Sequence, residues 1–513
     1  MSKPNILFAI SDDQSWPHAG AYGCEFVNTP VFDRIAKEGI LFENAFCNSP
    51  QCAPARAVAL TGLNMWRLEE ASLLLSKFPK KFKAYPEILE ENGYHVGYTG
   101  KPWGPGNLEA SGRKRNPAGN AYGGLSGFSY QIPSGDKGTG KNTNFIDPPT
   151  DGILNNDYFE NFKEFLKDRE SNQPFCFWYG CKEPHRTYEY GSGLNAGKKL
   201  EEVKVPKFFP DTKKVRTDLL DYAYEIEWFD KQLGKMLEYL EKINELEDTI
   251  VIATSDNGMP FPRIKANLYP QSCHVPFALR WGKKTGGKRK VTDFISLADL
   301  APTFLEAAGI EKDIDFSGKS LMPIIEAQKS GRIDKKRNKV FNGRERHTPC
   351  RPDLKCYPSR SIQTDRYLYI KNYKPDLWPV GNPITNYADC DDGPTKMYIL
   401  AHKNEKYVSD KFRLCFRKRP AEELYDIKND LYCLNNLANE TKYKEIKEKL
   451  KKDLEKKLKS EKDPRELGYG EIFDSYPCYS NSFSWLDKLS GFTKLNTYNT
   501  ELKEKAEENM NRY

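Results

Sequence analysis

No stretch of the chain comes near the roughly 18 apolar residues of a membrane span, and residues 1–11 lack the long apolar segment of a signal peptide. A membrane partner is therefore not expected. Two compartments stay open: periplasmic or secreted if a leader was removed and a start methionine put back, cytoplasmic otherwise. Clustered basic residues with interleaved aromatics are also missing. The formal charge of +7 is a small difference between 79 basic and 72 acidic side chains. These sit mostly in mixed helical runs, so nucleic acid is not implied and a mild preference for anionic substrates is all the charge supports. Nor do the twelve cysteines keep the regular spacing of a disulfide framework, although Cys350 with Cys356, or Cys176 with Cys181, could pair.

What is present is 513 residues, 38% hydrophobic and 29% charged, enough for one large core and a smaller appended one. Apolar runs without alternation, as in strands buried on both faces of a parallel sheet, recur along the first three hundred residues. Each ends in chemistry. Pro4 to Ile10 runs into Asp12 and Asp13, and Tyr94 to Thr99 into Gly100-Lys101. Pro174 to Gly180 leads to Pro184-His185, and Thr249 to Thr254 to Asp256 and Asn257. Carboxylates and an amide at strand ends suit a hard divalent cation such as calcium, placed where open α/β sheets bind ligands. The remaining pattern predicts a strand over Ile40 to Phe46, helices over 30–38, 216–243 and Ile295 to Ala308, and a long surface excursion over 107–150. Beyond about residue 335, alternation at Arg360 to Thr364, Tyr367 to Lys371 and Glu423 to Asp426 predicts an antiparallel sheet, followed by a charged, solvated helix over 442–459.

The most informative stretch is Cys52-Ala53-Pro54-Ala55-Arg56, a loop turning into a helix whose N-terminus, with Arg56 one turn on, favours a tetrahedral anion. A thiolate nucleophile with a lowered pKa is one reading of a cysteine there.

Taken in order, Asp12-Asp13, Cys52-x-Pro-x-Arg56, Gly100-Lys101, Pro184-His185, Ser255-Asp256-Asn257-Gly258 with Lys265 soon after, and Asp299-Leu300-Ala301-Pro302-Thr303 resemble the formylglycine-dependent type I sulfatases. Asp256 to Pro262, Asn267-Leu268-Tyr269, Tyr357 to Ile362 and Glu423 to Asp426 are similar to the heparan N-sulfatase (sulfamidase) branch. The resemblance implies an alkaline-phosphatase-like α/β fold, with a mostly parallel central sheet flanked by helices over 1–335 and a smaller α+β subdomain over 336–513. It implies that a maturation enzyme oxidises Cys52 to Cα-formylglycine. It also implies one Ca2+ held by Asp12, Asp13, Asp256, Asn257 and the modified Cys52. Arg56 would hold the aldehyde hydrate, Lys101 and Lys265 would neutralise sulfate, and His185, with an ordinary pKa near neutrality, would protonate the leaving group.

The chain departs from the family's pattern at Trp103, where many members have a histidine. That puts the acid's role on His185, alone or with His347, and an aromatic at this place could stack on a sugar. The implied function is release of sulfate from a sulfated carbohydrate, as an O-sulfate or as N-sulfoglucosamine. Phosphodiester or phosphonate hydrolysis and a silent carbohydrate-binding scaffold are the alternatives.

Overall fold

A computed structural model of the chain describes residues 3–123, 144–282 and 284–479, so the expected surface excursion falls partly outside the described residues. In chain order the strands of the first half are β1 (Asn5–Ser11), β2 (Ile40–Phe42), β3 (Ala45–Phe46), β4 (His95–Gly100), β5 (Asn120–Ala121), β6 (Phe175–Gly180) and β7 (Thr249–Ser255). Then follow β8 (Phe277–Arg280), β9 (Arg289–Val291), β10 (Ile295–Ser296), β11 (Lys339–Arg344), β12 (Ser359–Thr364), β13 (Tyr367–Asn372) and β14 (Glu422–Asp426).

The main sheet has the order β5-β4-β6-β1-β7-β8-β2-β9. From β5 to β7 all pairs are parallel; β8 runs antiparallel to both β7 and β2. Every residue of β1 is buried, and successive residues feed opposite layers, as the pleat requires. Ile6, Phe8 and Ile10 belong to the layer that contains the helices Cys52–Thr61 and Leu300–Ala307. Leu7 and Ala9 face the layer that contains Pro30–Glu38, Tyr158–Lys167 and Lys213–Lys242. This is the expected helix-flanked, mostly parallel sheet.

Two elements differ from expectation. The run Ile40 to Phe46 is not one strand: Asn44 turns out of the sheet, its Nδ2 donating to the Thr292 carbonyl at 3.0 Å, and β3 pairs instead with β10. The helix expected from Ile295 starts later, at Leu300, because Ser296 and Asp299 form a capping box that ends β10.

The second sheet is the antiparallel meander β11-β12-β13-β14, with one strand, β11, that alternation had not marked. The helix Lys444–Ser460 contacts β12 and β13 and is not wholly solvated, since Leu450, Leu454 and Leu458 are buried. Those leucines and Ile362 of β12 belong to the same cluster of buried residues as Ile6 of the main sheet. All twelve cysteines are free. Cys176 lies on β6 and Cys181 just past its end, and an extended strand carries them roughly 16 Å apart, beyond disulfide reach. Cys350 packs beside Gly381, whereas Cys356 packs with Leu73 and Phe473. Among the described residues no helix is long and apolar enough to cross a membrane.

Candidate active site

Because β4, β6, β1 and β7 are parallel, their carboxyl ends meet at one edge of the sheet. Ser11 is level with Ser255, and Ile10 and Gly100 are both level with Gly180. The residues that follow, Asp12, Lys101, His185 and Asp256, are thus delivered to one place. The approach between strands is close: a Cβ on Gly180 would lie 1.9 Å from the Lys101 carbonyl, so nothing larger fits.

Asp12, Asp13 and Asp256 are fully buried, and each brings a carboxylate oxygen within 4.8 Å of the others'. Adjacent residues of an extended chain point to opposite sides. Asp13 escapes this by taking φ 77°, a left-handed conformation that aspartate tolerates better than most residues. Its amide then donates to Asp256 Oδ1 at 3.1 Å, and its own Oδ1 accepts from Asn257 Nδ2 at 2.6 Å. Burial raises Asp13 to about 8; Lys265 pulls the other way, while Asp12 and Asp256 add to the rise. Asp256 is pushed up to about 6 by burial and Asp12, against Arg56. Burial would raise Asp12 as well, but Lys101 and Arg56 outweigh it and hold this carboxylate below its ordinary range. Asp12 Oδ1 and Asn257 Oδ1 are buried without a hydrogen-bond partner. Crowded carboxylates and orphaned oxygens form a donor set that a hard divalent cation would complete, and calcium fits it.

Cys52 opens the helix Cys52–Thr61 against this cluster, its Sγ 3.9 Å from Asp13 Oδ1. Gln51 before it makes no side-chain cap, so the helix N-terminus faces the cluster without one. The thiolate reading is overturned: burial and the Asp12 carboxylate push the Cys52 thiol well above the ordinary range. Arg56, one turn on and fully buried, donates through Nε to Asp256 Oδ2 at 2.8 Å and through Nη1 to the carbonyls of Lys101 and Pro102. Its Nη2 lies 3.9 Å from Asp12 Oδ1 and makes no hydrogen bond. Lys101 pairs with Asp12, and Lys265 with Asp13 at 2.7 Å.

His185 donates from Nδ1 to the Arg186 carbonyl at 2.7 Å, which turns Nε2 toward Asp13 Oδ2, 3.8 Å away. The near-neutral pKa expected of it is not what the site provides. Burial, and next the Lys265 ammonium, push the imidazole down to about 3.

A family model described as Sulfatase matches residues 4–310, well over half of the chain. The chain belongs to the sulfatase family. A second model, described as N-sulphoglucosamine sulphohydrolase, C-terminal, matches residues 264–391 and carries the resemblance to the sulfamidase-like branch beyond the main sheet. Over 482 residues the chain is 28% identical to an ulvan-active sulfatase of Formosa agariphila, covering 90% of this chain and 81% of that one. Over 499 residues it is 27% identical to the N-sulphoglucosamine sulphohydrolase of Homo sapiens, covering 88% and 89%. A solved structure in complex with its substrate D-glucosamine-2-N,6-O-disulfate has the same fold, with TM-score 0.61, 21% identity and coverage of 90% and 99%.

The two substrate candidates of this sulfatase fare differently. Trp103 is 3% exposed, with its ring edge-on to Phe78 at 5.3 Å, so it is a core side chain beneath the site and offers no face for a sugar to stack on. His347 is buried beside the cluster, its Nδ1 3.5 Å from Asp389 Oδ1. Asp389 and Asp391 were not anticipated. Asp391 lies 3.2 Å from Lys265 and is held below its ordinary range because the Lys265 ammonium outweighs the effect of burial. The one signal, an acidic turn closing in Gly393-Pro394, is what any solvated loop also shows.

Proposed function

We propose that this sulfatase releases sulfate from a sulfated carbohydrate, as an O-sulfate ester or as N-sulfoglucosamine, after a maturation enzyme has converted Cys52 to Cα-formylglycine. The observation that carries the reading is a buried cradle in which three carboxylates, two lysines, an arginine and a helix N-terminus surround one cysteine. That combination accommodates a metal and a tetrahedral dianion together.

Asp12, Asp13, Asp256 and Asn257 would hold Ca2+ together with an oxygen of the modified residue. Bound there, the ion supplies positive charge for the sulfate oxygens and makes a hydroxyl easier to ionise. The modified residue, as its hydrate, would supply one oxygen as the nucleophile at sulfur and a second hydroxyl whose deprotonation re-forms the aldehyde and expels sulfate by breaking the C–O bond to the first oxygen. A thiol offers neither that second oxygen nor, at its raised pKa, an anion. Lys101 and Lys265 place ammonium groups beside the metal ligands, where they draw sulfate oxygens in and balance the charge that builds as the S–O or S–N bond breaks. Arg56 keeps Asp256 in register through its Nε, and its unpartnered Nη2 is free to bond the hydrate.

His185 Nε2 delivers the leaving group's proton. Sulfate's negative charge would oppose the pull of the Lys265 ammonium and so favour the protonated imidazole, against the burial that chiefly lowers it. Burial of the cluster keeps bulk water from the sulfur.

The reading is tested by measuring free sulfate released from defined O-sulfated and N-sulfated sugars, beside an aryl phosphate diester. Sulfate release that dominates over phosphodiester cleavage, and that Cys52→Ala abolishes, is the expected outcome. A clear preference for the diester would move the protein to the phosphodiesterase alternative, and binding of sulfated sugar without turnover by Cys52-modified protein would favour the silent scaffold.

A further inference from the structure

The charged groups around Cys52 are graded by exposure. Asp12, Asp13 and Asp256 form the floor with side chains 0% exposed; Lys265 and Lys101 follow at 3% and 8%. His185 and Asp391 stand outermost at 23% and 25%. With the floor filled by metal-ligand oxygens, a sulfated molecule enters sulfate first and leaves its sugar on the outer side. The groups it meets there are His185 and Asp391.

The loop that carries Asp391 is fixed at both ends. Before it, the fully buried Asp389 accepts from Arg351 Nη2 at 2.7 Å, from Arg344 Nη2 at 3.1 Å and from the Thr348 amide at 2.7 Å. After it, Thr395 donates its amide at 3.1 Å and its hydroxyl at 2.6 Å to Asp218, which Arg186 grips in turn at 2.7 and 2.9 Å. Across the loop, the buried Lys396 ammonium donates back to the carbonyls of Cys390 at 2.8 Å and Tyr387 at 3.2 Å. A loop tied at so many points presents its carboxylate in one place. Lys265, the ion-pair partner of Asp391 among the described residues, lies 3.2 Å from it and is shared with Asp13 at 2.7 Å.

We infer that Asp391 reads the leaving group: it accepts a hydrogen bond from a hydroxyl or amine N–H on the sugar beside the scissile sulfate, and it bars a second sulfate or a carboxylate from that position. This rests on the sulfated-carbohydrate reading and adds a specificity-determining contact to it. The competing role is purely structural, holding Lys265 in place.

The test compares kcat/KM of wild type and Asp391→Asn on three substrates. One is a monosulfated amino sugar with its neighbouring donors free, the second is the same sugar bearing another sulfate next to the scissile one, and the third is an aryl sulfate without sugar hydroxyls. The expected loss on the first is about tenfold, the scale of one hydrogen bond to a charged group, with a smaller loss on the aryl sulfate and a gain on the doubly sulfated sugar relative to the first. Equal losses on all three, or an unchanged ratio between the two sugars, would overturn the inference. Wild type that releases sulfate from no sugar would overturn the underlying reading and this one with it. If Asp391→Asn melts early, Asp391→Glu, which keeps the charge and displaces it, is read on the same three substrates. It is expected to lose turnover on the monosulfated sugar and still reject the second sulfate; acceptance of that sulfate contradicts the inference.

Discussion

Asp13 holds its proton to about 8 because burial and two neighbouring carboxylates oppose its ionisation more strongly than Lys265 favours it. In the unfolded chain the same group ionises near its ordinary value of 3.8. Below that pH both states are protonated; as pH rises toward about 8 only the unfolded state gives up its proton, so the calcium-free fold loses stability through this window. Asp256, raised to about 6, adds to the loss, whereas Asp12 stays ionised throughout it. A bound cation takes the proton's place. The gain in Tm on adding calcium should therefore be larger at about pH 8 than at about pH 5, measured by thermal unfolding with and without chelator. A gain that is constant or shrinks with rising pH contradicts the assignment of these carboxylates as ligands.

At this scale the sequence was most legible where a buried apolar strand ran straight into a polar residue, as at Asp12, Lys101 and Asp256, because strand direction alone fixes where such a residue goes. Asp391 was not legible, because its place depends on Asp389 and Thr395 being tied to partners far away in the chain. The pKa of His185 was misjudged for a related reason: burial and Lys265 set it, and neither is local.

The helix Lys444–Ser460 reads as a solvated run of lysine and glutamate, yet Leu450, Leu454 and Leu458 recur along one side and are buried. Leu454 is fully buried in the cluster that also contains Ile362 of β12. Leu454→Ala is expected to cost about 2–5 kcal/mol, the range for a cavity of that kind, followed by chemical denaturation. Sulfate release per folded molecule should stay at the wild-type level, since the helix supplies nothing to the cradle. A loss of activity without a loss of stability would show that the helix shapes the site. Long buried strands were legible for their length and lack of alternation. The break between β2 and β3 was not, because the Ile40 to Phe46 run is apolar on both sides of Glu43-Asn44 and only the Thr292 carbonyl reveals the turn. Strand β11 hid for a similar reason: its buried Asn342 and Arg344 sit where an alternating pattern would place apolar residues.

Among the described residues, the two sheets share one cluster of buried residues that runs from Ile6 to Cys478, and the carboxy-terminal part sends Asp391 back to Lys265. The site is thus assembled from strand ends of the main sheet, the start of one helix and a loop that follows the first three strands of the second sheet. The proposed mechanism requires that the residue at position 52 present oxygen and not sulfur to the cluster. The most direct test is the mass of the peptide spanning Cys52, taken from a preparation that releases sulfate. The expected result is a peptide carrying Cα-formylglycine, in a proportion that tracks specific activity. An intact cysteine thiol throughout a fully active preparation would contradict it.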